Sequence, residues 1–233
     1  MRKILQLLTF LTTSVLFAQF PPTMMKSSKK ISKFDKYAGS IYVFEDYKQA
    51  DVINESSGTF EAELNYNIYT DALEFTEDSK LFQLVKTPTT HARIDGDYYY
   101  FCNFKTQRGV RKDGYFVLVE LNDLYRIYKR YELKITDPED MNSMGTSTIG
   151  KIKVLKTLYL EENGIILELP MSKKGILSAF SDKQDELKKY IKKEKIKLKK
   201  EEDLIRLVAK YNALKSIDAS PTRSLLGNTD QNN

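Results

Sequence analysis

The chain of 233 residues lacks tryptophan and has a single cysteine and a single histidine. One cysteine, Cys102, cannot form an intramolecular disulfide, so the fold must be held by its core. One histidine, His91, excludes zinc sites with two or more imidazole ligands and leaves a histidine-containing triad with a single possible base. The absence of tryptophan, the strongest sugar-stacking residue, weighs against carbohydrate binding.

The sequence also lacks the short motifs that carry common catalytic chemistry. GxSxG, the phosphate-cradling GxxxxGK and HExxH are all missing. His91 stands in TTHAR, a loop before a strand, where a histidine is more often incidental than catalytic. Cys102 stands in the strand-like run YYYFCNF, where the role of a small buried side chain is expected. We therefore predict no catalytic residue, no metal site and no cofactor.

The first 18 residues are typical of a secretory signal peptide. Arg2 and Lys3 precede a mostly apolar run over residues 4–17, and Ala18 is a small residue in a suitable place for cleavage. The apolar run is shorter than the roughly 20 residues that a membrane-spanning helix needs. We therefore predict that residues 1–18 are removed on export, that the mature chain is periplasmic or extracellular, and that it has no transmembrane span.

After the signal peptide the sequence divides into four parts. Residues 19–38 combine prolines, serines and lysines and are predicted to be a flexible leader. Residues 39–169 carry strand signals, residues 170–214 carry helix signals, and residues 215–233 form a polar tail that we predict to be disordered. The expected fold class is α+β, mainly antiparallel β as a sandwich or incomplete barrel of about 9 to 11 strands, followed by two or three C-terminal α-helices.

The β region shows strands by alternation and turns by dipeptides. Apolar and polar residues alternate from Phe60 to Tyr69, as in a strand with one buried face. Four dipeptides are predicted to form turns between such strands: Asp95-Gly96, Asp113-Gly114, Asn122-Asp123 and Asn163-Gly164. The longest stretch without periodicity, from Thr136 to Gly150, is either a recognition loop or simply mobile.

In residues 170–214 the apolar period changes from two to about 3.6. Ser172 is a candidate cap of a first helix, and Ser181 with Gln184 fits a capping box for a second. A third helix is expected to start just before the acidic residues 201–203, which complement the helix dipole. Its apolar stripe should pack on another helix or on the sheet, because burial of such side chains offsets the entropy of ordering them.

The helical segment is strongly basic. It holds 13 basic and 7 acidic residues, a net charge of +6. The candidate binding patch consists of five of its lysines: Lys188, Lys189, Lys192, Lys193 and Lys195. Asp185 lies three and four residues before the first two, so an ordinary solvated helix surface is one interpretation. The other is attraction to an anionic partner, an envelope protein or an anionic glycolipid, whereas export argues against nucleic acid.

Paired carboxylates leave one enzymatic alternative open, because a glycosidase needs only two acids at the right separation. Five acids cluster in the sequence: Glu61, Glu63, Asp71, Glu74 and Asp78. Two of them lie on the polar side of the alternating strand, where a solvated role is expected, and two lie in predicted turns. The alternative to a binding module is therefore a hydrolase of an envelope polymer.

Four stretches carry a resemblance to known proteins: GSIYVFED, YNIYTDALEF, LYLEENGIILEL and LSAFSDKQDELKKYIKKEKIKLKKEEDLIRLVAKYNAL. With them, over most of residues 39–214, the chain resembles a group of uncharacterised exported β-rich proteins of Gram-negative bacteria with a lysine-rich helical C-terminal segment. The resemblance implies an exported β-rich module and brings no catalytic residue. We therefore expect a non-enzymatic binding or interaction module of the cell envelope.

Overall fold

The computed structural model describes residues 20–138 and 149–219. The predicted signal peptide, most of the loop between Thr136 and Gly150, and the last 14 residues of the predicted tail lie outside the described residues. Eleven strands come first in the described part of the chain: β1 (Met25–Ser27), β2 (Lys48–Asn54), β3 (Gly58–Asn67), β4 (Ala72–Glu77), β5 (Lys80–Leu84), β6 (Thr90–Ile94), β7 (Asp97–Thr106), β8 (Arg111–Leu121), β9 (Arg126–Thr136), β10 (Lys151–Glu162) and β11 (Ile165–Glu168). Three helices follow: α1 (Lys173–Ala179), α2 (Gln184–Lys193) and α3 (Glu201–Ala219). The expected α+β class is confirmed.

The strands form one sheet in the order β1-β5-β4-β3-β2-β6-β7-β11-β10-β9-β8. All neighbours are antiparallel except β7 and β11, which pair in parallel. Because β7 also pairs with β8, the last five strands close into a ring, and the first six extend from it as an open sheet. The architecture is therefore a single sheet with a small barrel at one end, closer to the expected incomplete barrel than to a sandwich.

Apolar side chains pack on both sides of this sheet. One cluster is formed by residues of the ring: Phe104, Phe116, Tyr128, Tyr159 and Ile166. A larger cluster joins the open sheet to β7, β8 and β9 and includes Leu64, Tyr66, Tyr99 and Tyr115. A third cluster joins the three helices to Ile127, Leu158 and Leu160 of β9 and β10. The helical segment is therefore docked on the sheet, as its apolar periodicity predicted.

Three of the four predicted turns are confirmed. Asp95-Gly96 joins β6 to β7, Asn122-Asp123 lies between β8 and β9, and Asn163-Gly164 joins β10 to β11. Asn163 and Gly164 both have a positive φ, 53° and 79°, as the tightest hairpin turns require. The dipeptide signal therefore located these chain reversals correctly.

The fourth prediction, a turn at Asp113-Gly114, is wrong. Both residues lie inside β8, and the chain reverses earlier, at Gly109, which has a φ of 77°. A Cβ on Gly114 would lie 2.9 Å from Asp71 Oδ2 and 3.0 Å from an Arg130 guanidinium nitrogen. The missing side chain of Gly114 therefore lets Asp71 and Arg130 lie close to the strand. A dipeptide pattern cannot distinguish a glycine of this kind from a turn glycine.

The prediction of a flexible leader over residues 19–38 is corrected by the structure. Phe20 and Met24 are buried, and the ring centroid of Phe20 lies 4.9 Å from that of Phe75. Met25–Ser27 form β1, an antiparallel edge strand on β5. Burial of two large apolar side chains contributes about 1.5 to 3 kcal/mol each, which helps to offset the entropy of ordering this segment.

The sequence predicts the three helices correctly, but some of the predicted helix ends are wrong. Ser172 caps α1, because its Oγ accepts a hydrogen bond from Gly175 N–H at 3.2 Å. The predicted capping box is wrong: Ser181 begins a 3-10 turn, and α2 starts at Gln184 without a side-chain cap. Residues 215–219, assigned to the tail, continue α3. None of the helices in the described ranges combines the length and the apolar character that crossing a bilayer requires.

Candidate functional site

The five lysines of the candidate patch are all exposed. Four of them lie on α2 and the fifth, Lys195, follows its C-terminus. Of the five, only Lys193 forms an ion pair among the described residues, with its Nζ 4.0 Å from Glu194 Oε1. The lysine patch, as we call Lys188, Lys189, Lys192, Lys193 and Lys195, is therefore an open positive surface on the solvent side of α2 rather than a pocket.

Lys195 also belongs to the motif that terminates α2, two residues after its last residue, Lys193. Its φ of 53° lies in the left-handed region, and Ile196 N–H donates a hydrogen bond to the carbonyl of Ile191 at 3.1 Å. This bond pattern is the Schellman motif, in which glycine is the usual left-handed residue. Ile191 and Ile196 are both buried and belong to one apolar cluster, which is the contact that accompanies the motif.

Replacing Lys195 by glycine is expected to stabilise the protein by about 1 kcal/mol, because glycine adopts the left-handed conformation without the steric penalty of a Cβ. The melting temperature should rise by about 2 to 4 °C in scanning calorimetry. Lys195→Ala removes the same charge but keeps a Cβ, so it should melt close to the parent protein. An equal rise in both variants would mean that the gain comes from relieved lysine repulsion and not from the backbone.

A groove with an apolar floor lies beside the lysine patch, where the start of α1 meets the link between α2 and α3. Its volume is about 420 Å³. The floor is formed by Met171, Ile191, Ile196 and Leu198. The rim is formed by Lys173, Lys197, Lys199 and Lys200. Among the described residues these rim lysines have no carboxylate partner within ion-pair distance, so the groove combines an apolar strip with four unneutralised ammonium groups.

A segment of apolar and basic residues forms one wall of the groove. In the segment 196–200, IKLKK, Ile196 and Leu198 are buried and the lysines are exposed. The backbone N–H of Lys197 donates a hydrogen bond to Asp203 Oδ2 at 2.9 Å, which holds this segment against the first turn of α3. The backbone N–H of Lys200 donates to the carbonyl of Lys197 at 2.7 Å, so the link turns here, with its apolar side chains buried and its lysines exposed.

An ion pair with Lys129 of β9 connects the first turn of α3 to the sheet. Lys129 is 8% exposed, and its Nζ lies 3.6 Å from Glu201 Oε1 and 3.6 Å from Asp97 Oδ2. Burial by itself lowers the pKa of Lys129, but the neighbouring Tyr131 and the two carboxylates outweigh burial, so the pKa is raised and the side chain is charged at neutral pH. One wall of the groove thus rests on a helix whose first turn is held by an ion pair to β9.

A second cavity, of about 450 Å³, lies between the β10–β11 hairpin and α3. Its charges neutralise each other, because Lys215 Nζ lies 3.0 Å from Glu162 Oε2. The hydroxyl of Tyr211 donates to Asp182 at 3.4 Å, and burial together with that carboxylate raises the pKa of Tyr211 to about 12. This cavity therefore offers a charged ligand fewer free groups than the lysine-rimmed groove.

Cys102 and the carboxylates do not assemble a reactive centre in the described part of the chain. Burial raises the pKa of the Cys102 thiol to about 12, so it is protonated and a poor nucleophile at neutral pH. Across residues 20–138 and 149–219, no group of three His, Cys, Asp or Glu side chains could hold a metal ion. These side chains therefore give no support to nucleophilic or metal-assisted chemistry.

The five acids considered for a hydrolase do not line a common cleft. Glu74 is fully buried, and Asp71 Oδ2 forms an ion pair with Lys86 Nζ at 3.0 Å. The other three acids are exposed on β3 and in the turn after β4. A glycosidase typically keeps its general acid in an apolar pocket beside a second carboxylate. The arrangement of these acids therefore gives the hydrolase alternative no supporting pair.

Sequence reasoning found the lysine patch but missed the groove. Met171 and Lys173 are more than 20 residues away from the segment 196–200 in the chain, and only the packing of α1 beside α2 brings them together. The usable signal is the pair of apolar residues in IKLKK, because Ile196 and Leu198 are buried while the lysines of the segment are exposed. For these lysines the sequence predicts only that a third helix starts near Lys199 or Lys200.

No family model matches the chain, and comparisons with curated proteins and with solved structures find no similar protein. The function is therefore inferred from the chain's own residues.

Proposed function

We propose that the mature chain is an exported, non-enzymatic binding module that takes an anionic amphiphile, such as an anionic glycolipid, on the groove and lysine patch of its helical segment. The observation that carries the proposal is the groove, with four apolar side chains in its floor and four lysines without carboxylate partners on its rim. The signal-peptide pattern of residues 1–18 supports an extracytoplasmic location.

The apolar floor of the groove fits the acyl chain of such an amphiphile, and the lysine rim fits its anionic head group. An acyl chain on the floor contributes about 0.8 kcal/mol for each buried CH₂ group, and anionic head groups attract the rim lysines by about 1 kcal/mol each. An acidic envelope protein would use the lysines but would leave the apolar floor without a purpose, so the amphiphile is the better fit.

The test is vesicle flotation with the chain that starts at Gln19. Binding is expected to phosphatidylcholine vesicles that contain phosphatidylglycerol, to weaken at high salt, and to be absent with pure phosphatidylcholine. A triple variant with K197Q, K199Q and K200Q should bind about 100-fold more weakly, since three lysines contribute about 3 kcal/mol.

The matched control is the triple variant with K188Q, K189Q and K192Q, which removes the same charge from the exposed face of α2. It should lose less affinity than the groove variant, because these three lysines flank the groove and do not line it. Equal losses in the two variants would assign binding to the general charge of the segment and overturn the role of the groove. Failure of the parent chain to bind anionic vesicles at low salt would overturn the proposed function.

A further inference from the structure

Four side chains contain sulfur among residues 20–138 and 149–219, and they differ in exposure. Met24 is buried, and Met25 and Cys102 are partly exposed. Met171 is 41% exposed, which is the largest exposed fraction of the four. Because an oxidant reaches an exposed thioether more easily than a buried one, we expect Met171 to oxidise before the other two methionines of this part of the chain.

Cys102 is a poor target for oxidation although its side chain is partly exposed. The thiolate is the form of cysteine that attacks oxidants, and burial raises the pKa of the Cys102 thiol to about 12. At neutral pH the thiol is therefore protonated and slow to react. The redox chemistry open to this part of the chain is thus that of methionine, in which the thioether sulfur takes up one oxygen atom.

Met171 lies in the floor of the lysine-rimmed groove. It directly precedes Ser172, whose side chain caps α1, so its place at the start of that helix is fixed. The remaining floor residues are at most 9% exposed: Ile191, Ile196 and Leu198. Met171 therefore supplies most of the apolar surface of the floor that a ligand can reach.

We propose that Met171 is a site of reversible oxidation, and that its conversion to the sulfoxide by hydrogen peroxide releases an anionic amphiphile from the groove. The thioether sulfur attacks one oxygen of the peroxide and the O–O bond breaks. The proton of the attacked oxygen moves to the second oxygen, which leaves as water. Sulfur is oxidised by two electrons and the peroxide is reduced by two, so no further reactant is needed.

This inference rests on the proposed function, because it concerns the regulation of the same groove. The signal-peptide pattern predicts that the mature chain lies outside the cytoplasm, where the environment is oxidising. Methionine sulfoxide reductases reduce the sulfoxide again, so the modification is reversible.

The sulfoxide changes the floor of the groove without changing the fold. It replaces a flexible apolar thioether by a polar group that accepts hydrogen bonds. An acyl chain that covers this group removes its water, and burial of an unpaired polar group is unfavourable enough to weaken binding about tenfold or more. Because Met171 is exposed in the free protein, its oxidation should leave the stability nearly unchanged.

The test is vesicle flotation of the chain that starts at Gln19, before and after treatment with hydrogen peroxide. The vesicles contain phosphatidylcholine and phosphatidylglycerol, and catalase removes the peroxide before they are added. Peptide mass spectrometry should find the added oxygen at Met171 earlier than at Met24 or Met25. Binding should fall about tenfold or more, and methionine sulfoxide reductases should restore it, while the circular dichroism spectrum stays the same.

Three variants separate Met171 from the other sulfur groups. Met171→Leu has no sulfur at this position, so its own affinity should be equal before and after peroxide. Met25→Leu keeps Met171 and should lose as much affinity on oxidation as the parent chain. Met171→Gln places a permanent polar amide in the floor and should bind more weakly than Met171→Leu.

The outcomes distinguish failure of this proposal from failure of the proposed function. An untreated parent chain that does not bind the vesicles overturns the proposed function and this proposal with it. Binding that survives complete oxidation of Met171 overturns only this proposal. An equal loss in Met171→Leu, or a loss that the reductases do not reverse, has the same consequence, because it assigns the effect to another group.

Discussion

Between about pH 11 and 13 the protein is expected to unfold in a single transition in which its buried tyrosines lose their protons. Twelve of the 15 tyrosines have a raised pKa, in each case except Tyr37 chiefly because of burial. A raised pKa means that the fold favours the protonated tyrosine. The stability from this preference is complete below about pH 10, where unfolded tyrosine titrates, and is lost as the pH rises towards the folded pKa values.

Three buried tyrosines determine how steeply the stability falls with rising pH. Tyr66, Tyr99 and Tyr115 are 1%, 0% and 2% exposed, and each has a pKa raised by burial. Each tyrosine that ionises only in the unfolded chain lowers the free energy of unfolding by about 1.4 kcal/mol per pH unit above pH 10. Three such residues together give about 4 kcal/mol per pH unit, so the typical total stability of about 5 to 15 kcal/mol is exhausted within a few pH units.

The measurement is a pH titration in which tyrosinate absorbance and far-ultraviolet circular dichroism are followed together. The absence of tryptophan leaves the tyrosinate signal undisturbed, and all 15 tyrosines belong to the described part of the chain. The two signals should change together. Complete tyrosine ionisation with unchanged circular dichroism would contradict the prediction.

Tyr115→Phe is the matched variant for this titration. In the described residues the hydroxyl of Tyr115 makes no hydrogen bond, so its removal should change stability at pH 7 by less than about 1 kcal/mol. It removes one ionising group, and the loss of stability per pH unit should fall by about 1.4 kcal/mol. The alkaline midpoint should therefore rise although the stability at neutral pH is nearly unchanged.

The parts of the fold that could be predicted are those whose signals are local. The hairpin at Asn163-Gly164 depends on two adjacent residues that tolerate a positive φ, and the stripe of α3 depends on side chains three and four residues apart. The apolar alternation from Phe60 likewise identifies β3, whose Phe60, Leu64 and Tyr66 are buried. Each of these patterns is complete within one element, so no knowledge of the neighbouring elements is needed.

The parts that could not be predicted depend on contacts between distant residues. Met25 pairs with Leu84, and the ring closes where Ile165 pairs with Lys105, both across about 60 residues of chain. The groove has the same origin, because it is assembled from the start of α1 and the link after α2, whose relative position is set by packing. Composition indicated the lysine patch, but the neighbouring apolar floor became visible only in the structure.

Replacing Glu74 by alanine is expected to destabilise the protein by about 2 to 4 kcal/mol, because it removes the acceptor that ties the N-terminal segment to the sheet. Glu74 is fully buried on β4. Its carboxylate accepts hydrogen bonds from Tyr42 Oη at 2.8 Å, Asn67 Nδ2 at 3.2 Å and Ser28 Oγ at 3.4 Å. Alanine would leave these donors buried or half-buried without their acceptor and would open a cavity.

Urea unfolding measures the loss of stability in Glu74→Ala, and limited proteolysis shows which part of the chain becomes accessible. Glu74→Gln keeps the volume and one acceptor oxygen, so it should lose clearly less stability than Glu74→Ala. Glu77→Ala, on the same strand but partly exposed, should change stability by no more than about 0.5 kcal/mol. Because Ser28 and Tyr42 lie before β2, their release should expose the chain between β1 and β2 to cleavage first. Equal stability of Glu74→Ala and Glu77→Ala would show that the buried carboxylate does not hold this segment in place.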